Sequence, residues 1–92
     1  MNTIIKTINE AFGGDINDKR PLHINSTCRI AYAGYLKYHK KHSCKELAEI
    51  TGASFGMSKE RAYKHRGYYA MDSTYRRIFD NILNNLGHDT SN

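Results

Sequence analysis

Apolar residues recur at helical spacing near both ends of the chain. Residues 3–12 place an apolar stripe on one helix face, and Gly13-Gly14 follows, which predicts a helix that ends there. Residues 73–86 carry a stronger stripe, with Asp72 or Ser73 as the cap and Gly87 as the residue that ends the helix. The members of that stripe are Tyr75, Ile78, Phe79, Ile82, Leu83 and Leu86. Each pattern predicts a helix that buries one face in a common core.

Two more helices are predicted in the first half of the chain. A polar loop at residues 13–25 precedes a helix over residues 27–41, which Asn25, Ser26 or Thr27 can cap. A further helix opens with Ser43 and Glu46, which have the spacing of a capping box, and it ends near residues 51–52.

These patterns predict an all-α fold, because no segment alternates apolar and polar residues as a strand does. We expect a single small helical domain of four to five helices over residues 1–87, followed by a polar tail at residues 88–92. A chain of 92 residues builds one modest core and leaves little room for a carved active site. The expected core residues are Ile5, Ile8, Phe12, Ala31, Tyr35, Leu36, Leu47, Ile50, Tyr63, Ile78, Phe79, Ile82 and Leu83.

Composition and charge restrict the partners. No run approaches the roughly 18 apolar residues of a membrane span, and the first ten residues do not resemble a signal peptide. Two cysteines do not make a disulfide framework, so we expect a cytoplasmic protein. The net charge is +5, and eleven of the fourteen Lys and Arg residues lie between Arg29 and Arg77. That distribution favours a polyanionic partner.

The segment from Glu46 to Gly52 has the pattern of the first helix and turn of a helix-turn-helix. Ala48 is small enough to let a second helix cross closely, and Gly52, four residues later, can take a left-handed turn. The arrangement predicts that the next helix is a recognition helix.

The expected turn is an extended one. Ser58 occupies the place where the simplest motif has a buried aliphatic residue. We therefore expect a longer connector at residues 53–57, a helix start at Ser58, and a second helix over residues 59–71 with Ala62 or Tyr63 in the buried place.

That second helix is expected to turn a basic face outward. At about 100° per residue, one side collects the cationic and hydrogen-bonding residues, and the other collects Tyr63, Gly67 and Ala70, which we expect to pack inward. The expected DNA-binding residues of the helix are Lys59, Arg61, Lys64, His65 and Tyr68. Donors directed at base edges and phosphates would read duplex DNA in the major groove.

The order of elements resembles the C-terminal DNA-binding domain of the DnaA replication initiator, in the Trp-repressor-like helix-turn-helix group. The resemblance rests on the opening helix at residues 4–12, the basic loop and Arg-x-Ala-rich helix at residues 16–36, Ser43 with Glu46, Phe55-Gly56, and His65. It implies duplex DNA as the partner, with Lys19 and Arg20 as loop contacts. Residues 58–62 replace the family's Arg-Asp-His-Thr-Thr signature, and the chain has no G-x-x-x-x-G-K-[ST] loop. What the resemblance implies is therefore the fold and general DNA binding.

Other interpretations remain open. The protein could be an adaptor that docks on another protein, or forms a homodimer, through tyrosine-rich apolar surface. A zinc site could be built from Cys28, His39, His42 and Cys44, although the first two are three helical turns apart. His65 with Tyr68 or Tyr69 could form an acid–base pair, but no set of nucleophile, base and orienting group is present. We expect no metal, no cofactor and no enzymatic activity.

Overall fold

The computed structural model of the protein describes residues 2–87, beginning with helix α1 (Thr3–Phe12). The Asn2 side chain accepts a hydrogen bond from the amide of Ile4 at 2.8 Å and caps the first turn. Gly13 adopts a left-handed φ of 77° and ends the helix where the sequence predicts. The polar tail expected at residues 88–92 lies outside the described residues.

The second helix, α2 (His23–Gly34), begins four residues earlier than predicted and continues as a π-helical turn at Tyr35–His39. The three residues proposed as caps, Asn25, Ser26 and Thr27, all lie inside the helix, whose N-cap is Leu22, and Asn25 is buried. Its side-chain oxygen accepts the amide of Asp15 at 2.9 Å, so it fixes the preceding loop instead.

Helices α3 (Cys44–Thr51) and α5 (Ser73–Asn85) confirm the predicted capping signals. The Ser43 hydroxyl accepts the amide of Glu46 at 3.2 Å, and the Glu46 carboxylate accepts the amide of Ser43 at 2.8 Å. Before α5, the Asp72 carboxylate accepts the amides of two residues in the first turn. Both helices therefore start where a side chain satisfies the free backbone donors.

Helix α4 (Phe55–Met71) crosses α2 and packs against α3 and α5, while α1 closes the other side against α2 and α5. Within residues 2–87 there are five α-helices and no strand, so the predicted all-α fold is confirmed.

The core agrees with the prediction except on the helix-turn-helix. Buried as expected are Ile8, Ala31, Tyr35, Leu36, Leu47, Phe79, Ile82 and Leu83, with Ile5, Phe12 and Ile78 packed part-buried against them. The prediction is wrong for Ile50 and Tyr63, both of which are exposed. The buried residues of α4 are instead Ser58, Ala62 and His65.

Candidate nucleic-acid interface

The helix-turn-helix has a short turn. Helix α3 ends at Thr51, Gly52 takes a left-handed φ of 75°, and α4 begins at Phe55, so only residues 52–54 separate the two helices. The prediction of an extended connector at residues 53–57 is therefore wrong. The hydroxyl of Ser54 accepts the amide of Met57 at 3.1 Å and caps α4, the role that the sequence analysis gave to Ser58.

The short turn changes the rotation of α4. Ser58, Ala62 and His65, at i, i+4 and i+7, face the core and are all buried. The expected inward residue Tyr63 is 75 % exposed, and Gly67 and Ala70 are exposed beside it. The three residues predicted to pack inward are therefore exposed, and the buried side of α4 is formed by two small residues and a histidine, not by large apolar side chains.

His65 is the clearest correction among the predicted DNA-binding residues. It is only 4 % exposed, its ring lies 4.5 Å from that of Phe79 by centroids, and its Nδ1 is hydrogen-bonded to the Tyr75 hydroxyl at 2.7 Å. Burial, with a smaller contribution from His39, lowers the pKa of His65 to about 4. A buried, neutral imidazole cannot contact DNA, so His65 is a packing residue.

A glycine on α2 makes room for this histidine. A Cβ placed on Gly34 would lie 2.1 Å from Cγ of the His65 ring, far inside any permitted contact. The crossing of α2 and α4 therefore requires glycine at this position, because the two helices approach through a bare backbone on one side and an imidazole on the other.

The side of α4 that is exposed carries a different set of residues from those predicted. We define the outer face of α4 as Gly56, Lys59, Tyr63, Arg66, Gly67 and Ala70, all of them exposed. A Cβ added at Gly56 or Gly67 would meet nothing within 4 Å, so the packing of the domain itself does not require these small residues. The outer face thus combines two cations and a tyrosine with positions at which a partner can approach the helix backbone.

Of the predicted residues, only Lys59 lies on this face. Lys64 is exposed at its edge and pairs with Glu60, Nζ to Oε1 at 3.1 Å. Arg61 is half-buried on the side toward α2, and Tyr68 packs against the ring of Tyr75 at 5.5 Å.

Sequence reasoning missed Tyr63 and Arg66 as surface residues. A signal was available, since Ser58, Ala62 and His65 form a run of compact residues at helical spacing. A helix that crosses another closely needs such a run, even without a large apolar side chain.

The loop between α1 and α2 places its two cations differently. Arg20 is exposed, and its guanidinium group pairs with the Asp18 carboxylate at 2.6 Å. Hydrogen bonds from Arg20 hold the pKa of the Asp18 carboxyl well below its usual range. Lys19 is exposed and has no ion pair among the residues that the structure describes. Lys19 is therefore free to contact a phosphate. At Arg20 a phosphate would have to compete with the Asp18 carboxylate for the guanidinium group.

The loop is anchored beside the turn of the helix-turn-helix. Arg29 of α2 donates to the carbonyl oxygens of Ile16, at 3.1 Å, and Asp18. Ile16 and the turn residues Gly52 and Ala53 line the same cavity, which brings the basic loop to the start of α4. The structure thus brings together two regions, the loop and the second helix, that the sequence analysis assigned to one partner.

No cluster of three metal-binding side chains occurs among residues 2–87, and Cys28 and Cys44 are both free thiols. In the same part of the chain no helix has the length and apolar character needed to cross a bilayer. Comparisons of the chain with protein-family models, with curated proteins and with solved structures gave no match.

Proposed function

We propose that the protein binds double-stranded DNA and inserts the outer face of α4 into the major groove. The observation that carries the proposal is the exposed helix after a three-residue turn, with Lys59, Tyr63 and Arg66 on the side away from the core. An α-helix fits the major groove, and Lys and Arg donate to guanine edges and phosphates.

The small residues of the outer face support this orientation. Gly56, Gly67 and Ala70 flank the two cations and the tyrosine, so the helix axis can come close to the floor of a groove. Tyr63 has a hydroxyl and an apolar ring that can contact a phosphate or a thymine methyl group. The residues proposed for base and phosphate contact are therefore Lys59, Tyr63 and Arg66, with Lys64 at the edge.

The loop extends the proposed interface along the duplex. Lys19 and Arg20 lie on a loop that is fixed beside the turn, and from there they can reach phosphates or an adjoining minor groove. This docking is the one that the resemblance to the initiator domain implies. The proposal is for a cytoplasmic binding protein without catalytic activity, acting in transcription or replication control.

The test is a fluorescence-anisotropy titration of random duplex DNA at several salt concentrations. The variant Lys59→Ala/Arg66→Ala should weaken binding and flatten the slope of log affinity against log salt by up to about two units, one for each phosphate that the variant no longer neutralises. The matched control, Lys6→Ala/Arg77→Ala, removes one exposed Lys and one exposed Arg from α1 and α5. If both variants bind equally weakly, net charge and not the outer face carries the binding.

A second candidate function, protein binding, has one observation in its favour. Ile50, Phe55 and Met57 are exposed around the turn, and Phe55 is 56 % exposed. Apolar side chains in contiguous exposed positions are typical of protein interfaces. An interface of this kind would tolerate high salt, and Phe55→Ala would then weaken it, whereas Lys59→Ala/Arg66→Ala would leave it nearly unchanged.

A further inference from the structure

A cavity of about 320 Å³ lies where α2, α3, α4 and the loop after α1 meet. Its apolar wall includes Leu47, Ile50 and Met57, and its polar wall includes Arg29, Ser58 and Arg61. The volume is at the lower end of the range for small-molecule sites, which also combine an apolar lining with a few polar groups.

The charge of Arg61 is unpaired within residues 2–87. The side chain is half-buried, and it makes no hydrogen bond or ion pair with any of the residues that the structure describes. The carboxylate of its neighbour Glu60 is paired with Lys64. Burial, followed by the nearby positive charge of Arg29, lowers the pKa of Arg61 from its usual value, and the smaller effect of Glu60 in the opposite direction does not offset them. Two guanidinium groups therefore face the same region, which is an unfavourable arrangement unless a ligand supplies an anion.

Ser58 adds an independent observation from the same wall. Its side chain is 2 % exposed, and its hydroxyl oxygen has no hydrogen-bond partner within residues 2–87. Buried hydroxyl groups in folded proteins are nearly always hydrogen-bonded, so a buried hydroxyl without a partner requires an explanation. Ser58 precedes Arg61 by one helical turn, which places both on the same side of α4.

We propose that this cavity binds a small organic anion, with its carboxylate against Arg61 and Ser58 and its apolar body against Leu47, Ile50 and Met57. The guanidinium group can hold a carboxylate through two parallel hydrogen bonds. The Ser58 hydroxyl, whose oxygen is closed off from solvent in this rotamer, can donate a third once its χ1 angle turns toward the cavity. Because one wall of the cavity is apolar and the other is polar, the cavity favours a carboxylate attached to an apolar group over a free inorganic anion.

The cavity is a separate site from the outer face of α4. Arg61 and Tyr63 are two residues apart, which turns their side chains about 200° around the helix axis. Arg61 therefore faces α2 when Tyr63 faces outward. The ligand site is independent of the proposed DNA binding, and its test contains no DNA.

The test is an NMR titration of the full ¹⁵N-labelled chain with benzoate, and with benzamide, which has the same shape but no charge. We expect saturable shifts of the amides around Ser58 and Arg61 at millimolar benzoate, and binding of benzamide weaker by about tenfold or more. Inorganic phosphate should also bind more weakly than benzoate, because it has no apolar body. Equal binding of benzamide, stronger binding of phosphate, or no saturable shift with benzoate would overturn the proposal.

Three variants locate the site. Arg61→Gln should lose benzoate affinity by about tenfold or more, whereas Arg77→Gln, an exposed arginine of α5, should retain it. Ser58→Ala should raise Tm without ligand, since it removes a buried hydroxyl that lacks a partner among the described residues, and should weaken benzoate binding. If Arg61→Gln fails to fold, the Tm and the benzoate affinity of Ser58→Ala still test whether the cavity binds the anion. Unchanged benzoate affinity in both Arg61→Gln and Ser58→Ala would overturn the proposal.

Discussion

Helices α4 and α5 pack against each other, yet they bury opposite kinds of side chain. Helix α5 covers the core with Tyr75, Phe79, Ile82 and Leu83. Helix α4 is longer but buries only Ser58, Ala62 and His65, and it leaves Tyr63 and Met71 in solvent. Apolar area holds α5, whereas α4 is held by its close approach to α2, by the part-buried rings of Tyr68 and Tyr69, and by two hydrogen bonds to α5, His65–Tyr75 and Tyr69–Asp80. On the opposite side, α4 leaves Tyr63 free for a partner.

The largest effect should follow from deleting apolar volume on α5. Phe79 is fully buried and contacts both His65 and Tyr75, so Phe79→Ala should lower the free energy of unfolding by about 3–5 kcal/mol. Urea denaturation measures the loss. The matched truncation on α4, Tyr63→Ala, should change stability by less than about 0.5 kcal/mol, because the side chain is mostly in solvent. Comparable losses in the two variants would remove the contrast between the helices.

The buried His65 of α4 should make the stability of the protein depend on pH. Burial lowers the pKa of His65 from 6.5 to about 4. Between these values the unfolded chain binds a proton that the folded chain excludes, so stability is fully present above pH 6.5 and decreases as the pH falls. From pH 7 to pH 5 the free energy of unfolding should fall by about 2 kcal/mol.

Thermal unfolding at intervals of pH measures this dependence, and His65→Gln is the control. The variant lacks the titrating ring, so its Tm should change far less over the same range even if the protein is less stable throughout. A parallel pH slope in His65→Gln would assign the dependence to other groups. Hydrogen bonding to the Ser43 backbone is the main cause that lowers the pKa of Glu46. Protonation of Glu46 therefore also reduces stability as the pH falls, but at lower pH than His65.

The smallest effect concerns the start of α4. Ser54 accepts the amide of Met57, so Ser54→Ala should cost about 1 kcal/mol of stability. Ser54→Asp, which keeps an acceptor at the cap and adds a charge favoured by the helix dipole, should restore it. If neither substitution alters urea unfolding, the start of α4 is held by the turn and not by its cap.

The contrast between the two helices also explains what could be predicted from the sequence. Helix α5 has a capping aspartate and a wide apolar stripe, and both its bounds and its buried face were predicted correctly. Helix α4 has no such stripe, and its one exposed tyrosine was mistaken for a core residue. The buried role of His65 depends on Gly34, which is 31 positions away along the chain. The spacing of Ser58, Ala62 and His65 on α4 is helical, but nothing in that spacing indicates that the histidine meets a glycine of another helix.

The loop between α1 and α2 shows a related difficulty. Asn25 has the side chain of a helix cap, and its position before an Arg-x-Ala-rich helix supported that role. Its hydrogen bond to Asp15 instead reaches back ten residues along the chain. Local capping rules succeed where the partner lies within one turn, as for Ser43 and Glu46, and they fail where it comes from another segment.

The fit of the His65 ring against the bare backbone of Gly34 also constrains how this chain can diverge. A methyl group at position 34 is incompatible with the imidazole, so alanine can be accepted there only after residue 65 has become smaller. The reverse order is open, because a smaller residue at position 65 leaves a gap but no clash. Substitutions at these two sites should therefore accumulate in one sequence of steps, and glycine at 34 should outlast histidine at 65 in descendant lineages.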